Sequence, residues 1–157
     1  MINKKLKPHK LNQMKNYLKD PHVESWRSIM GVFQSIYSTL ESELMKEGLH
    51  ISRFQIFFHL YFDGPLSAAQ LAKSMLVTRG NISMFLKRLE KDGQISVCPS
   101  SKSMQRPLFR LTPESESTFE EIFPKHIERV RRLAPKLPTK VINLFKKYRL
   151  DPRKKDT

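Results

Sequence analysis

The sequence contains a single cysteine, Cys98, and no long run of apolar residues. One cysteine excludes an internal disulfide framework and is typical of proteins from a reducing compartment. The apolar runs fall short of the ~18 residues that a membrane-spanning helix needs. The basic start of the chain has no apolar stretch behind it, which argues against a signal peptide. We therefore expect a soluble, cytoplasmic protein.

Glycine is also scarce, with five residues in 157, and none of them builds a glycine-rich phosphate-binding loop. The histidines show no metal-site spacing, and no cluster of titratable groups typical of catalysis is present. We therefore predict that the chain is not an enzyme and needs no metal or cofactor. His59 and His126 lie on or near apolar helix faces and are expected to be satisfied core or interface residues.

Acidic residues are few: 15 Asp and Glu face 29 Lys and Arg, for a net charge of +14. Such a surplus favours polyanionic partners, with nucleic acid first and an anionic membrane surface second. Burial in a dimer explains the amphipathic first and last helices as well as a membrane would. We predict double-stranded DNA as the partner and no membrane contact, which would place the protein at the nucleoid.

Apolar periodicity predicts a mainly α-helical fold with a small β-wing. Apparent capping boxes at Ser52 with Gln55 and at Ser67 with Gln70 mark two helix starts, and Thr78 caps the next helix. Strands are expected at 95–97 and 108–111, joined by a basic loop. Thr112 is expected to cap a fifth helix, in which Pro124 would introduce a kink.

These elements divide the chain into a winged helix-turn-helix domain and a helical dimerisation region. The predicted parts are a basic extension at 1–20, dimerisation helices at 21–50 and 113–150, the DNA-binding domain at 51–112 and a polar tail at 151–157. The extension has helical spacing at Leu11, Met14 and Leu18. A mobile tail, an arm docked in the dimer and a DNA-contacting arm all remain open for it.

The segment 78–89 has the two unlike faces that a recognition helix needs. Ile82, Phe85, Leu86 and Leu89 are expected to point inward. Arg79 can contact guanine and Asn81 adenine through paired hydrogen bonds. The predicted base-reading residues are Arg79, Gly80, Asn81, Ser83 and Met84, and the predicted phosphate contacts are Ser67, Thr78, Lys87 and Arg88.

The wing adds Lys102, Arg106 and Arg110. A narrow minor groove attracts arginine, so we favour Arg106 for the groove and Lys102 for a phosphate. Cys98 lies at the edge of the wing. It is expected to be an inert strand residue, and the alternative of a redox sensor stays open.

The stretches GPLSAAQLAKSMLVTRGNISMFLKRLEKDGQI, RLTPE and IFPKHIERVRRL resemble the MarR family of winged helix-turn-helix regulators over roughly residues 23–150. The wing departs from the family pattern, which usually carries Asp-x-Arg where this chain reads Ser-Met-Gln-Arg at 103–106. Ser115 stands where the family often has glycine.

The resemblance implies a homodimer whose two recognition helices read a palindromic operator, most often as a repressor. It also implies release from DNA by an effector, for which we expect a small aromatic or anionic molecule. Interface candidates are Trp26, Ile29, Phe33, Phe123, Ile127, Val141 and Phe145, and ligand-pocket candidates are Tyr37, Phe57 and Tyr61. The rival hypothesis is a sequence-tolerant nucleoid protein or an adaptor within an assembly.

Overall fold

The computed structural model describes residues 8–98 and 107–147. The predicted fold class, mainly helical with a small β-wing, is confirmed. The helices are α1 (Pro8–Tyr17), α2 (Pro21–Met45), α3 (Ile51–Phe62), α4 (Ala68–Met75), α5 (Arg79–Lys91), α6 (Pro113–Leu133) and α7 (Thr139–Lys147). The strands are β1 (Leu66–Ser67), β2 (Ile95–Val97) and β3 (Leu108–Leu111).

The chain forms two compact units, one up to Thr39 and one from Leu40 onward. In the first unit, α1 shows that part of the basic extension is helical. The Asp20 carboxylate accepts hydrogen bonds from the backbone amides of His22, at 2.8 Å, and Val23, at 3.4 Å. These bonds cap α2, because the first amides of a helix have no partner inside it.

The core of the second unit consists of the apolar stripes that the sequence predicts. Its most deeply buried members are Leu44, Ile56, Phe57, Leu71, Ile82, Leu86, Leu89 and Phe119. The sequence predicts Phe85 among them, but this residue is 42% exposed. It lies at the edge of the α5 stripe, about 60° around the helix from Ile82 at 100° per residue, so it leans out of the core.

The wing sheet has three antiparallel strands in the order β1-β3-β2, where the sequence predicts two. Leu66 pairs with Phe109 and Ser67 with Leu108, so the extra strand is only two residues long. A strand this short has no alternating pattern that could be recognised in the sequence. It ties the root of the wing to the residue that precedes α4.

The start of α3 differs from the prediction of a Ser52–Gln55 capping box. The helix begins at Ile51, and its N-cap residue, His50, makes no side-chain cap bond. Instead, the Glu41 carboxylate accepts a hydrogen bond from the Ile51 amide at 2.6 Å and another from His50 Nδ1 at 2.9 Å. A carboxylate from the end of α2 therefore performs the capping function.

The start of α6 also differs in detail from the prediction. Thr112 is its N-cap residue, yet its hydroxyl makes no cap bond and donates instead to the carbonyl of Gly93 at 3.0 Å. The helix continues through Pro124 to Leu133. The kink expected at Pro124 stays a prediction.

An aromatic cluster joins α3 to α6. The Phe54 ring lies 5.4 Å from that of Phe119 and 4.3 Å from that of His126, centroid to centroid. His126 is buried, but its Nδ1 has no hydrogen-bond partner among the described residues, so the expectation of a satisfied histidine is wrong in this respect. Burial, followed by the nearby charge of Arg129, lowers the pKa of His126.

Candidate DNA-binding surface

The first helix of the motif, α4, is fixed by Ser67. The Ser67 hydroxyl accepts a hydrogen bond from the Gln70 amide at 3.4 Å, and Gln70 Oε1 accepts one from the Ser67 amide at 2.9 Å. The predicted capping box is therefore confirmed. Each side chain satisfies a backbone donor of the other residue, so the first turn of α4 has a defined position beside the sheet.

The turn between α4 and α5 depends on Leu76, which has a φ of 56° in the left-handed region. That conformation costs a residue with a side chain about 1–2 kcal/mol. In return, the following amide, of Val77, donates to the Ala72 carbonyl at 3.1 Å and so closes the end of α4. The chain then enters α5 at Thr78, whose hydroxyl accepts from the Asn81 amide at 3.3 Å, as predicted.

The helix α5 has the predicted division of faces except at Phe85, which is exposed. Ile82, Leu86 and Leu89 are each only 1% exposed and hold the helix on the domain. The outward face carries Arg79, Gly80, Asn81, Met84, Lys87 and Arg88, all exposed. Met84 is 74% exposed, which is the highest value among the large apolar residues described. A methionine held in water beside polar and cationic groups suits contact with another molecule better than packing within the chain.

Ser83 is half-buried, and its hydroxyl donates to the Arg79 carbonyl at 2.8 Å. The hydroxyl proton is thus directed into the helix, and the oxygen lone pairs remain to accept from a ligand. Gly80 leaves open space: no atom of the surrounding protein lies within 4 Å of the position where a Cβ would stand. Packing inside the described protein therefore does not require a glycine there.

A cleft of about 220 Å³ separates the start of α4 from α5 and the root of the wing. It is lined by four of the predicted DNA-contacting residues: Ser67, Arg79, Ser83 and Lys87. The other lining residues are Ala68, Ala69, Leu86, Glu90, Pro107 and Phe109. The cleft combines hydroxyls and cations with the first turn of a helix, which suits a phosphate group.

Glu90 is the lining residue that the sequence interpretation missed. Its spacing from Ser83 and Lys87, seven and three residues, places it on the same face of α5. That spacing could have identified Glu90 from the sequence as a neighbour of the other cleft residues. A carboxylate here repels phosphate, so it restricts how deeply a DNA backbone enters that end of the cleft.

Of the predicted wing residues, Arg110 lies on β3 and is exposed. Its Nε donates to the Ser96 hydroxyl on β2 at 3.3 Å, across a paired position of the two strands. Lys102 and Arg106 lie outside the described residues. Cys98 is half-buried, and its amide donates to the Leu108 carbonyl at 2.8 Å, which extends the β2–β3 pairing.

The candidate ligand-pocket residues have different environments. Phe57 is almost fully buried in the core. The Tyr61 hydroxyl donates to Glu120 Oε1 at 2.8 Å, and this bond raises the pKa of Tyr61. Tyr37 belongs to the first unit, where its ring lies 5.4 Å from that of Phe33.

All seven candidate dimer residues are at least partly exposed. Trp26, Ile29 and Phe33 are exposed on α2, and Phe145 is exposed on α7. Phe123, Ile127 and Val141 are half-buried. Along residues 8–98 and 107–147, no group of three or more His, Cys, Asp or Glu side chains could hold a metal ion. The same residues contain no helix that is both long and apolar enough to cross a membrane.

Residues 49–103 match the MarR family model. The chain is 24% identical over 126 residues to the uncharacterized HTH-type transcriptional regulator YkoM of Bacillus subtilis, covering 78% of this chain and 82% of the relative. It is 26% identical over 110 residues to the HTH-type transcriptional repressor YetL of the same organism, covering 69% and 66%.

Solved structures share the fold. AbsC, a MarR family regulator from Streptomyces coelicolor, matches with a TM-score of 0.71 and 23% identity, over 83% of this chain and 90% of that one. An E. coli MarR mutant in complex with operator DNA matches with a TM-score of 0.69 and 20% identity, over 83% and 96%. NadR in complex with 4-hydroxyphenylacetate matches with a TM-score of 0.63 and 23% identity, over 76% of this chain and 85% of that one.

The family match covers the helix-turn-helix and the start of the wing, which are the parts whose geometry suits DNA. The relatives are transcriptional regulators and not enzymes, in agreement with the prediction that this chain is not an enzyme. Residues 49–103 thus carry a match to the MarR family, within a chain whose fold is that of solved MarR family regulators.

Proposed function

We propose that this protein is a repressor that binds a palindromic operator as a homodimer and is released by a small effector. The part of this proposal that concerns DNA reading rests on the two faces of α5. Three buried residues anchor the helix on the domain, and Arg79, Asn81 and Met84 are exposed on its other face. The repressor role is supported by YetL, a relative that is named as a repressor. The site of action would be the nucleoid in the cytoplasm.

The assignment of base-reading and phosphate-contacting residues is tested by two matched substitutions on α5. Arg79→Ala should reduce discrimination between operator and random DNA, because it removes a paired contact to a base worth about 1–3 kcal/mol. Lys87→Ala should weaken both complexes about equally, because a phosphate contact carries no sequence information. Equal loss of both complexes in the Arg79 variant would contradict the assignment.

The operator can be found by footprinting genomic fragments with the purified protein, followed by competition with excess random DNA. A regulator keeps its operator complex under this competition, and a sequence-tolerant nucleoid protein loses it. Half-sites should lie about one helical turn, ~34–36 Å, apart or at a multiple of that distance. A footprint without two-fold symmetry would contradict the palindromic operator.

The homodimer is supported by large apolar side chains that a lone protomer leaves in water, above all Trp26, Ile29 and Phe33 on α2 and Phe145 on α7. Covering such a surface is the ordinary driving force for association. Sedimentation equilibrium should give twice the chain mass. Phe33→Asp or Phe145→Asp should shift the population toward monomer, and a monomeric wild type would overturn the proposal.

The effector is proposed to be a small aromatic or anionic molecule that contacts Tyr61, because Phe57 is almost fully buried in the core. NadR, which shares the fold, was crystallised with an aromatic carboxylate. A panel of such acids should raise the melting temperature and weaken operator binding in the same concentration range. A compound that stabilises the protein without releasing DNA would not be an effector.

A further inference from the structure

The turn between α4 and α5 holds a leucine in a backbone conformation that favours glycine. Leu76 has a φ of 56°, and within the described part of the chain it is the only residue other than glycine with a positive φ. A glycine adopts this conformation without steric cost, whereas the Cβ of any other L-residue opposes it. The backbone of the turn therefore gives no reason for a leucine side chain at this position.

Packing within the domain also explains the side chain only in part. Leu76 is 50% exposed, and the next residue, Val77, is 40% exposed. By contrast, Leu71 and Ala72 on α4 are buried and attach that helix to the core. An apolar residue that is both strained and half in water suits contact with a second molecule.

The surroundings of the turn indicate where that molecule lies. A cleft of about 500 Å³ extends from α4 to the start of α5, and its lining residues are Ala69, Ala72, Lys73, Leu76, Val77, Thr78 and Arg79. Arg79 also lines the smaller cleft described above, so the two clefts share the residue that is predicted to read a base. The apolar turn is therefore continuous with the candidate DNA-binding surface.

The charge around the turn favours a polyanion over an apolar protein surface. Lys73 and Arg79 are exposed, and neither is ion-paired with a carboxylate within residues 8–98 and 107–147. An apolar partner would remove water from both cations at a cost, whereas DNA phosphates neutralise them. The major groove of DNA combines this anionic charge with an apolar group, the C5 methyl of thymine.

From these observations we propose that Leu76 contacts a thymine methyl group in the major groove and adds to sequence specificity beside Arg79. The proposal rests on the proposed function, because it requires the start of α5 to enter the major groove. Leu76 precedes Arg79 by three residues and lines the same cleft. The thymine should therefore lie next to the base that Arg79 contacts, once in each half-site.

Replacing thymine by uracil removes only the C5 methyl group, so the first test uses the wild-type protein. Fluorescence anisotropy measures the affinity for the footprinted operator and for duplexes in which each thymine in turn is replaced by deoxyuridine. Replacement of the contacted thymine should weaken binding about fourfold for each half-site, the effect expected when one methyl group is no longer buried. An operator in which no replacement weakens binding would overturn the proposal.

Three variants assign the effect to Leu76. Leu76→Asn and Leu76→Gly remove the apolar contact and tolerate the left-handed conformation, so each should bind the thymine and uracil operators equally well. Leu76→Met is the matched control, because it keeps an apolar side chain of similar volume and should retain the dependence on the methyl group. A dependence that stays unchanged in Leu76→Asn and Leu76→Gly would belong to another side chain, such as Met84, and would overturn the proposal.

A failure of the proposed function can be distinguished from a failure of this inference. The absence of any preferred operator would contradict the proposed function. In that case alternating A·T and A·U duplexes, which differ only in their methyl groups, decide about Leu76. The wild type should bind the A·T duplex more tightly, and the difference should shrink in Leu76→Asn; an equal ratio in the two proteins would overturn the proposal.

Discussion

Glu47 and Arg129 form a paired interaction in which the two carboxylate oxygens accept from two guanidinium nitrogens, at 2.7 and 2.9 Å. The Arg129 side chain is only 14% exposed, and Arg129 Nε also lies 3.8 Å from a Glu43 oxygen. The pair links the residues that follow α2 to the C-terminal part of α6. It is better shielded from water than the surface ion pairs around it.

Arg129→Ala should therefore lower the free energy of unfolding by about 1–3 kcal/mol, since it leaves a partly buried carboxylate without its partner. The matched control is Arg131→Ala. Arg131 pairs with Glu128 on the same helix but is 70% exposed, so its loss should cost no more than about 0.5 kcal/mol. Urea denaturation checks both values, and equal effects would contradict the distinction.

The Glu41 cap gives a second prediction. Glu41→Ala should destabilise the protein by about 1 kcal/mol, because the Ile51 amide at the start of α3 loses its acceptor. Ser52→Ala, at the residue that the sequence pattern identifies as the cap, should change stability by less than about 0.5 kcal/mol. Thermal unfolding of the two variants decides between them, and a larger effect at Ser52 would favour the sequence pattern.

A substitution at Gly80 should have opposite effects on the stability of the free protein and on its affinity for the operator. Gly80→Ala should stabilise the free protein by up to about 1 kcal/mol, because alanine favours helix and the position has open space. The same methyl group should weaken operator binding at least tenfold if α5 approaches the DNA backbone closely there. Gly31→Ala, in α2 with equally open space, measures the stability gain from helix propensity alone. Undiminished operator affinity in the Gly80 variant would show that this close approach does not occur.

His126 predicts a pH dependence of stability. Its pKa in the folded protein is lowered by burial and by Arg129, while Glu47 opposes the shift. Because the unfolded chain binds the proton more readily, the stabilisation is fully present above the ordinary histidine pKa of about 6.5 and is lost as pH falls through that value toward the folded pKa.

His126→Phe should remove the loss of stability at low pH and should retain the ring packing against Phe54. His22→Gln, at an exposed position, is the matched control. Melting temperatures between about pH 5 and 8, the range in which histidine titrates, provide the measurement. A profile that keeps its full slope in the His126 variant would assign the effect to other groups.

Several elements that depend on short-range signals are predicted correctly from sequence, although the cap bonds expected at Ser52 and Thr112 are not formed. The capping box at Ser67, the cap at Thr78 and the two faces of α5 each involve residues within a few positions of one another. The failures involve longer range or weaker signals. Glu41 caps a helix ten residues away, and β1 exists only because Leu66 and Ser67 pair with β3. The cleft required three elements to be placed before Ser67 and Lys87 could be seen to share it.

Ser67 belongs both to the wing sheet and to the N-terminal cap of α4, so it connects two parts of the DNA-binding domain. It pairs with Leu108 in the wing sheet, and its hydroxyl holds the first turn of α4 through the Gln70 amide. A displacement of the wing root would pull on the first helix of the motif, so the wing cannot reorient on its own. The paired strands of the wing and the helix-turn-helix are thus expected to approach DNA together.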